Sequence, residues 1–103
     1  MLFGNAKDRP TEKIIEGAVK RVLSIGGKIQ VVQLEMKGGT AVPEHAHPHE
    51  QAGYIVHGKF EVNIGGEKGI LEKGYYFQIP SNTPHSGFVH EDTLLIDIYS
   101  PPK

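Results

Sequence analysis

Cysteine is absent from the 103-residue chain. That excludes disulfides and thiolate chemistry and leaves the redox compartment unreadable from cysteine usage. An excess of charge of either sign is missing too. Eleven Lys and Arg stand against twelve Asp and Glu, for a formal charge of −1, so there is neither the basic field that nucleic acid calls for nor an acidic tail. No apolar run approaches the roughly 20 residues of a membrane-spanning helix. The opening MLFGNAKDRP lacks the long apolar stretch of a secretory signal, which leads to an expected cytoplasmic address. Repeats, linkers and low-complexity segments are also lacking, so residues 1–103 read as one domain around a single hydrophobic core.

Glycine, by contrast, is plentiful. Thirteen residues exceed the usual share of about 7%, and they recur as punctuation between short apolar stretches, the mark of turns in an all-β protein. KIQVVQLEMK (28–37) alternates, with Val32, Leu34 and Met36 opposite Ile29, Val31, Gln33 and Glu35. KFEVNI (59–64) sets Phe60, Val62 and Ile64 against Glu61 and Asn63. The Gly65-Gly66 pair reads as a two-residue hairpin turn into EKGILEKG. YYFQIP (75–80) and TLLIDIY (93–99) are further β-rich runs. A helix has room only around TEKIIEGAVKRVL (11–23), where Gly17 and the β-branched residues weaken it; extended structure is expected there, with at most one short helical turn near the N-terminus. Many short strands need their edges managed, and closure into a barrel or double-sheet roll does this.

Three of the six histidines fall within PEHAHPHEQAGY (43–54). Two residues apart, His45 and His47 project from the same face if the segment is a strand. Pro48 predicts a bend that turns His49 away, and His57 and His90 read as surface or rim residues. Beyond the bend lie two oxygen donors, Glu50 and Gln51, between which spacing alone does not choose. His85 stands in IPSNTPH, in a Pro-bounded turn. Three imidazoles and one oxygen donor make a sensible ligand set for a first-row divalent metal. Such residues converge only inside a closed or sandwiched sheet; otherwise the run is a surface cluster.

The spacing resembles the two motifs of the cupin superfamily. Gly39, five residues, His45-Ala-His47, three residues, Gln51, six residues and Gly58 are similar to the first; Gly74, five residues, Pro80-Ser81-Asn82, two residues and His85 are similar to the second. Gln51 stands where glutamate is usual, and Asn82 where glycine is usual. The resemblance implies an all-β jelly-roll barrel, the double-stranded β-helix of cupins, holding one divalent transition metal (Ni, Zn, Mn or Fe) on His45, His47, Gln51 and His85. An amide oxygen leaves more of the metal's charge uncompensated than a carboxylate does, which favours Lewis-acid chemistry.

HPHEQAGYIVHGKFEVNIGGE (47–67), IPSNTPH (79–85) and LLIDIYSPP (94–102) further resemble the small cupins of the KdgF type, which open 4,5-unsaturated uronates from pectin or alginate into keto sugars. That resemblance implies catalysis by Asp97 and substrate contacts from Tyr99 and from the C-terminal position. The family carries arginine there; this chain has Lys103, whose ammonium cannot reproduce a guanidinium fork. The orientation of Asp97 stays open. If Leu94, Ile96 and Ile98 form the buried face, Asp97 shares the solvent face with Leu95 and Tyr99; if it faces inward among apolar neighbours, its pKa is perturbed and it is a plausible proton shuttle. The expected partners are a sugar-acid substrate and a second copy of the chain, with KIIEGAVKRVL (13–23) packing across a two-fold interface. A metal-dependent dioxygenase and a non-catalytic sugar-binding module are the rival readings.

Overall fold

The structure is a computed structural model that describes residues 2–103. After a short 3-10 turn at Ala6–Asp8, capped by the Asn5 side chain on the Lys7 N–H, the chain runs through eight strands: β1 (Glu12–Ile15), β2 (Ala18–Ile25), β3 (Gln30–Met36), β4 (Ala41–His45), β5 (Glu50–Ile64), β6 (Glu67–Glu72), β7 (Tyr76–Ile79) and β8 (His85–Ser100). Segment 11–23 is extended as expected, folding into the β1–β2 hairpin. No helix among the described residues is long and apolar enough to cross a membrane.

Two long strands organise the fold. The N-terminal half of β5 pairs with the C-terminal half of β8 and, on its other side, with β7; β3, β2 and β1 continue the sheet outward from β8. Beyond the bend, the C-terminal half of β5 pairs with the N-terminal half of β8, flanked by β6 and β4. The same two strands thus belong to both layers of the roll. They change layer where their pairing slips, between Ile55 and Phe60. Gly58 sits at this corner with φ +114, and a side chain there would run into the backbone of Asp92 and Thr93; only glycine fits both demands.

The slip inverts the alternation along β5. Gln51, Gly53 and Ile55 are buried before it, Phe60 and Val62 after it. Both halves therefore face the same interior, where Ile55, Val89 and Leu95 are fully buried among Met36, Phe60, Leu71, Phe77 and Ile79. Full burial of such a side chain is worth about 1.5–3 kcal/mol. At the far end of β5, Gly65 (φ 58) and Gly66 (φ 92) make the expected two-residue turn, with both central residues at positive φ and the Asn63 side chain accepting the Gly66 N–H.

One local expectation fails. His45 ends β4, but His47 lies in the irregular segment that follows, not on a strand. Pro43 and Pro48 bracket the segment, and prolines remove the N–H groups that a continued ladder needs. The bend falls at Pro48–His49 as expected. His85, read as a turn residue, begins β8.

Candidate metal centre

The interior face of the larger layer is a grid set by register. One cross-strand row reads Gln30, Tyr99, Gln51 and Ile79; the next reads Val32, Asp97, Gly53 and Phe77. Because side chains alternate along a strand, these rows point to the same side. Asp97 is therefore inward, 3% exposed, and shares that face with Leu95 and Tyr99; Ile96 and Ile98 lie on the opposite face, where Ile98 is 37% exposed. The alternative in which Leu94, Ile96 and Ile98 form the buried face is corrected by the pairing of β8 between β3 and β5, which fixes its parity.

Three histidines close over this grid from the other side. His45 and His85 are cross-strand partners of β4 and β8, with ring centroids 4.1 Å apart; His47 reaches in from its loop, 4.9 Å from the His85 ring. One nitrogen of each lies within 4.8 Å of those of the other two. The loops that carry them are joined: the Asn82 N–H donates to the His47 carbonyl at 2.8 Å, and the Ser81 hydroxyl to that of Pro48 at 2.6 Å. Asn82 adopts φ 61, a left-handed conformation that asparagine tolerates better than most residues, which explains its place in a position that usually takes glycine.

The hydrogen bonds fix which imidazole nitrogens are free. Nδ1 of His45 lies 2.9 Å from the Pro43 carbonyl, Nδ1 of His47 3.0 Å from that of His49, and Nδ1 of His85 2.8 Å from that of Thr83. A carbonyl only accepts, so each Nδ1 carries the proton and donates it. In the neutral ring, each Nε2 then holds a bare lone pair, the arrangement seen in metal-binding histidines with oriented outer partners. Nε2 of His85 is buried with no partner among the described residues. Burial also lowers the His85 pKa against the Thr83 hydrogen bond, and the neighbouring His45, His47 and Lys103 lower it further.

Gln51, 7% exposed, completes the cluster. Its amide nitrogen donates to Asp97 Oδ1 at 2.9 Å, which turns its Oε1 toward His47 Nε2 at 3.1 Å. With Nε2 of His47 unprotonated, this oxygen faces a lone pair, an arrangement that a cation held between them would relieve. The donor set, the orphaned Nε2 of His85 and this contact all fit a divalent transition metal. Glu50 faces outward, near Gln78 Nε2 at 3.5 Å. His49 stays outside the trio, with Nδ1 donating to the Pro101 carbonyl at 3.0 Å. His57 and His90 are exposed, and His90 pairs with Glu61.

Asp97 also accepts a long hydrogen bond from the Tyr99 hydroxyl, 3.4 Å. Its burial pushes its pKa up to about 6, against the opposing pull of the hydrogen bonds from Gln51 and Tyr99 and of the Lys103 charge. Burial and the neighbouring Asp97 raise the Tyr99 pKa well above its ordinary value, so its hydroxyl stays protonated. The C-terminal tail folds back over the site: the Lys103 N–H donates to Gln30 Oε1 at 2.8 Å, and the ammonium sits 4.7 Å above the Tyr99 ring.

All these groups meet in or beside one cavity of about 190 Å³, lined by His45, Gln51, His85, Asp97, Tyr99 and Lys103 together with apolar residues that include Val32, Met36, Phe60 and Phe77. Sites for drug-sized ligands run to roughly 300–1,000 Å³, so this one suits a single small molecule. Two polar lining residues, Lys20 and Gln30, went unseen in the sequence. Their parity gave the available signal: Gln30 shares the face of Val32 and Leu34, and Lys20 that of Ala18 and Val22.

Known proteins bear on this geometry in the same sense. The cupin domain pattern matches residues 32–99. The pectin degradation protein KdgF of Dickeya dadantii (strain 3937) is 30% identical over 98 residues, 93% of this chain and 89% of that protein. The solved structure of KdgF from Halomonas sp. superposes with a TM-score of 0.92 at 30% identity, covering 98% of this chain and 94% of that one. A 64-residue stretch, 61% of this chain but only 19% of the relative, is 39% identical to quercetin 2,3-dioxygenase of Bacillus subtilis (strain 168). With its jelly-roll fold and its histidine trio already in place, the chain belongs to the cupin family, as a KdgF-like member.

Proposed function

We propose that this protein converts a 4,5-unsaturated uronate, of the kind released in pectin or alginate breakdown, into the open-chain keto sugar. The carrying observation is the buried Asp97 carboxyl, hydrogen-bonded to Gln51 and set beside three histidines whose ring nitrogens converge. His45, His47, Gln51 and His85 would hold a divalent metal, which when bound supplies Lewis-acid polarisation of a sugar oxygen. In the reaction the hydroxyl on carbon 1 loses its proton and the bond from carbon 1 to the ring oxygen breaks, leaving an enolate on carbon 5. Asp97 then gives a proton to carbon 4, and carbon 5 becomes a ketone. One proton leaves and one arrives, so the change is an isomerisation and needs no oxidant. A pKa of about 6 keeps part of the Asp97 population protonated near neutrality, the condition for a general acid. Tyr99 and Lys103 position the sugar from the cavity wall.

The likeness to part of a quercetin dioxygenase favours one rival, an oxygen-dependent reaction with iron. A single assay separates the two. Metal-loaded protein mixed with a lyase product is expected to abolish the ultraviolet absorbance of the sugar double bond without consuming oxygen. His47→Ala, expected to fold but to retain no metal by elemental analysis, should not. Oxygen uptake, or equal metal content and rates in both proteins, would overturn the proposal. The second copy in our reading is a homodimer partner that covers the β1–β2 edge.

A further inference from the structure

Residues 101–103 follow β8 and are held from two sides. On the β3 side, the Ser100 hydroxyl donates to the Lys28 carbonyl at 2.7 Å, and the Lys103 N–H to Oε1 of the buried Gln30 at 2.8 Å. On the β5 side, Nδ1 of His49 donates to the Pro101 carbonyl at 3.0 Å. That is the only side-chain hydrogen bond to the segment from this side among the described residues. Between these anchors the segment brings Lys103 into the cavity lining, beside the Tyr99 ring. A piece of the cavity wall is therefore made of chain that belongs to no strand.

His49 stands directly before β5 and has two separate attachments. Its main-chain carbonyl accepts the proton of His47 Nδ1, which orients that ring, while its side chain reaches the Pro101 carbonyl. The rings form a short chain across this end of the roll: His49 to His47 at 5.5 Å between centroids, and His47 to Tyr99 at 6.0 Å. His49 itself is neither in the histidine trio nor in the cavity lining, so whatever its side chain does for the site is done through the segment it holds. Without that bond both remaining anchors, Lys28 and Gln30, lie on the β3 side, and the segment is free to swing away from the histidine loop.

We infer that His49 is a positioning residue whose side chain clasps residues 101–103 across the end of the roll and fixes the part of the cavity wall that they form. The clasp rests on the hydrogen bonds; the substrate it serves rests on the uronate reading above.

Exchange of the Lys103 amide with solvent, followed by nuclear magnetic resonance in the metal-loaded full chain, reads the clasp without turnover. His49→Ala keeps the carbonyl that orients His47, so metal content is expected to stay at the wild-type level. Lys103 should then exchange roughly 2- to 10-fold faster, the loss of one net hydrogen bond. His49→Leu keeps bulk without a donor and should match it, which preserves the test if His49→Ala folds poorly. His49→Asn carries an amide N–H on the same Cγ that bears the imidazole Nδ1, and should restore protection. On an unsaturated uronate, KM is expected to rise by a similar factor in the Ala and Leu variants with kcat nearly unchanged, because a wall that meets ground state and transition state alike alters binding alone; His49→Asn should return it. Exchange and KM unmoved in both variants, an Asn variant no better than Leu, or loss of metal from His49→Leu would overturn the clasp. The two claims fail separately. Exchange that follows the donor in a protein that turns over no unsaturated uronate would remove the isomerase reading and leave the clasp. Normal turnover with exchange indifferent to all three variants would do the reverse.

Discussion

Asp97 carries the most consequence for a single side chain. Its ordinary pKa of 3.8 is raised to about 6 by burial, so the folded protein binds this proton more tightly than the unfolded chain does. The contribution to stability is then fully present below about pH 4 and is lost as pH rises through about 6, a difference on the order of 3 kcal/mol. Asp97→Asn keeps the acceptor for the Gln51 amide and has no charge to desolvate. In chelator-treated protein the variant is expected to melt higher than wild type at pH 7 and to lose that advantage by pH 4. Equal melting temperatures at pH 7 would show that the carboxylate is not held in an unfavourable site. The inward direction of Asp97 was not legible from TLLIDIY, because both faces of that run are apolar; only its pairing with β3 and β5 decides. The choice of Gln51 over Glu50 as the inward group was likewise beyond spacing, since adjacent residues on a strand differ only in face.

Strands whose alternation stays in phase were readable. β3 and the second half of β5 follow the faces that their apolar residues draw, and the Gly65-Gly66 turn is where the pair of glycines put it. What escaped is continuity: β5 and β8 run for 15 and 16 residues through the corner between the layers, and β5 reverses parity there. A periodic reading breaks there into fragments, because the slip at Gly58 moves the buried set from odd to even positions. His47 escaped for a related reason. A His-x-His spacing suits a strand, yet the chain leaves β4 at His45 and the cluster is assembled from a strand end, a loop and a strand start. Gly58→Ala tests the corner. Positive φ for a residue with Cβ and collision with the Asp92–Thr93 backbone each cost about 1–3 kcal/mol, so the midpoint of urea unfolding should fall sharply, with bound metal lost from the folded fraction only as it unfolds. An unchanged midpoint would mean that the bend does not depend on glycine.

At the scale of the molecule, the jelly roll places polar groups from five strands, one loop and the C-terminal tail around one small space. Only closure of the two layers brings residues as distant as Lys20 and Lys103 together. The proposed homodimer belongs to this scale as well. β1 is an edge strand and Ile14 is 47% exposed, so a partner laid against this edge would cover apolar surface; light scattering at micromolar concentration is expected to give twice the chain mass of 11.3 kDa, and the monomer mass would refute the pairing. The most direct test of the central claim, proton delivery to the sugar inside this cavity, is nuclear magnetic resonance of the product formed in deuterium oxide. Metal-loaded wild type is expected to place one deuterium on a single face of carbon 4, and Asp97→Asn with full metal content to lose both the rate, by roughly 10²–10⁴-fold, and the facial preference. Deuterium distributed equally over both faces by the wild-type protein, or an Asp97→Asn variant that keeps the rate and the preference, would contradict it.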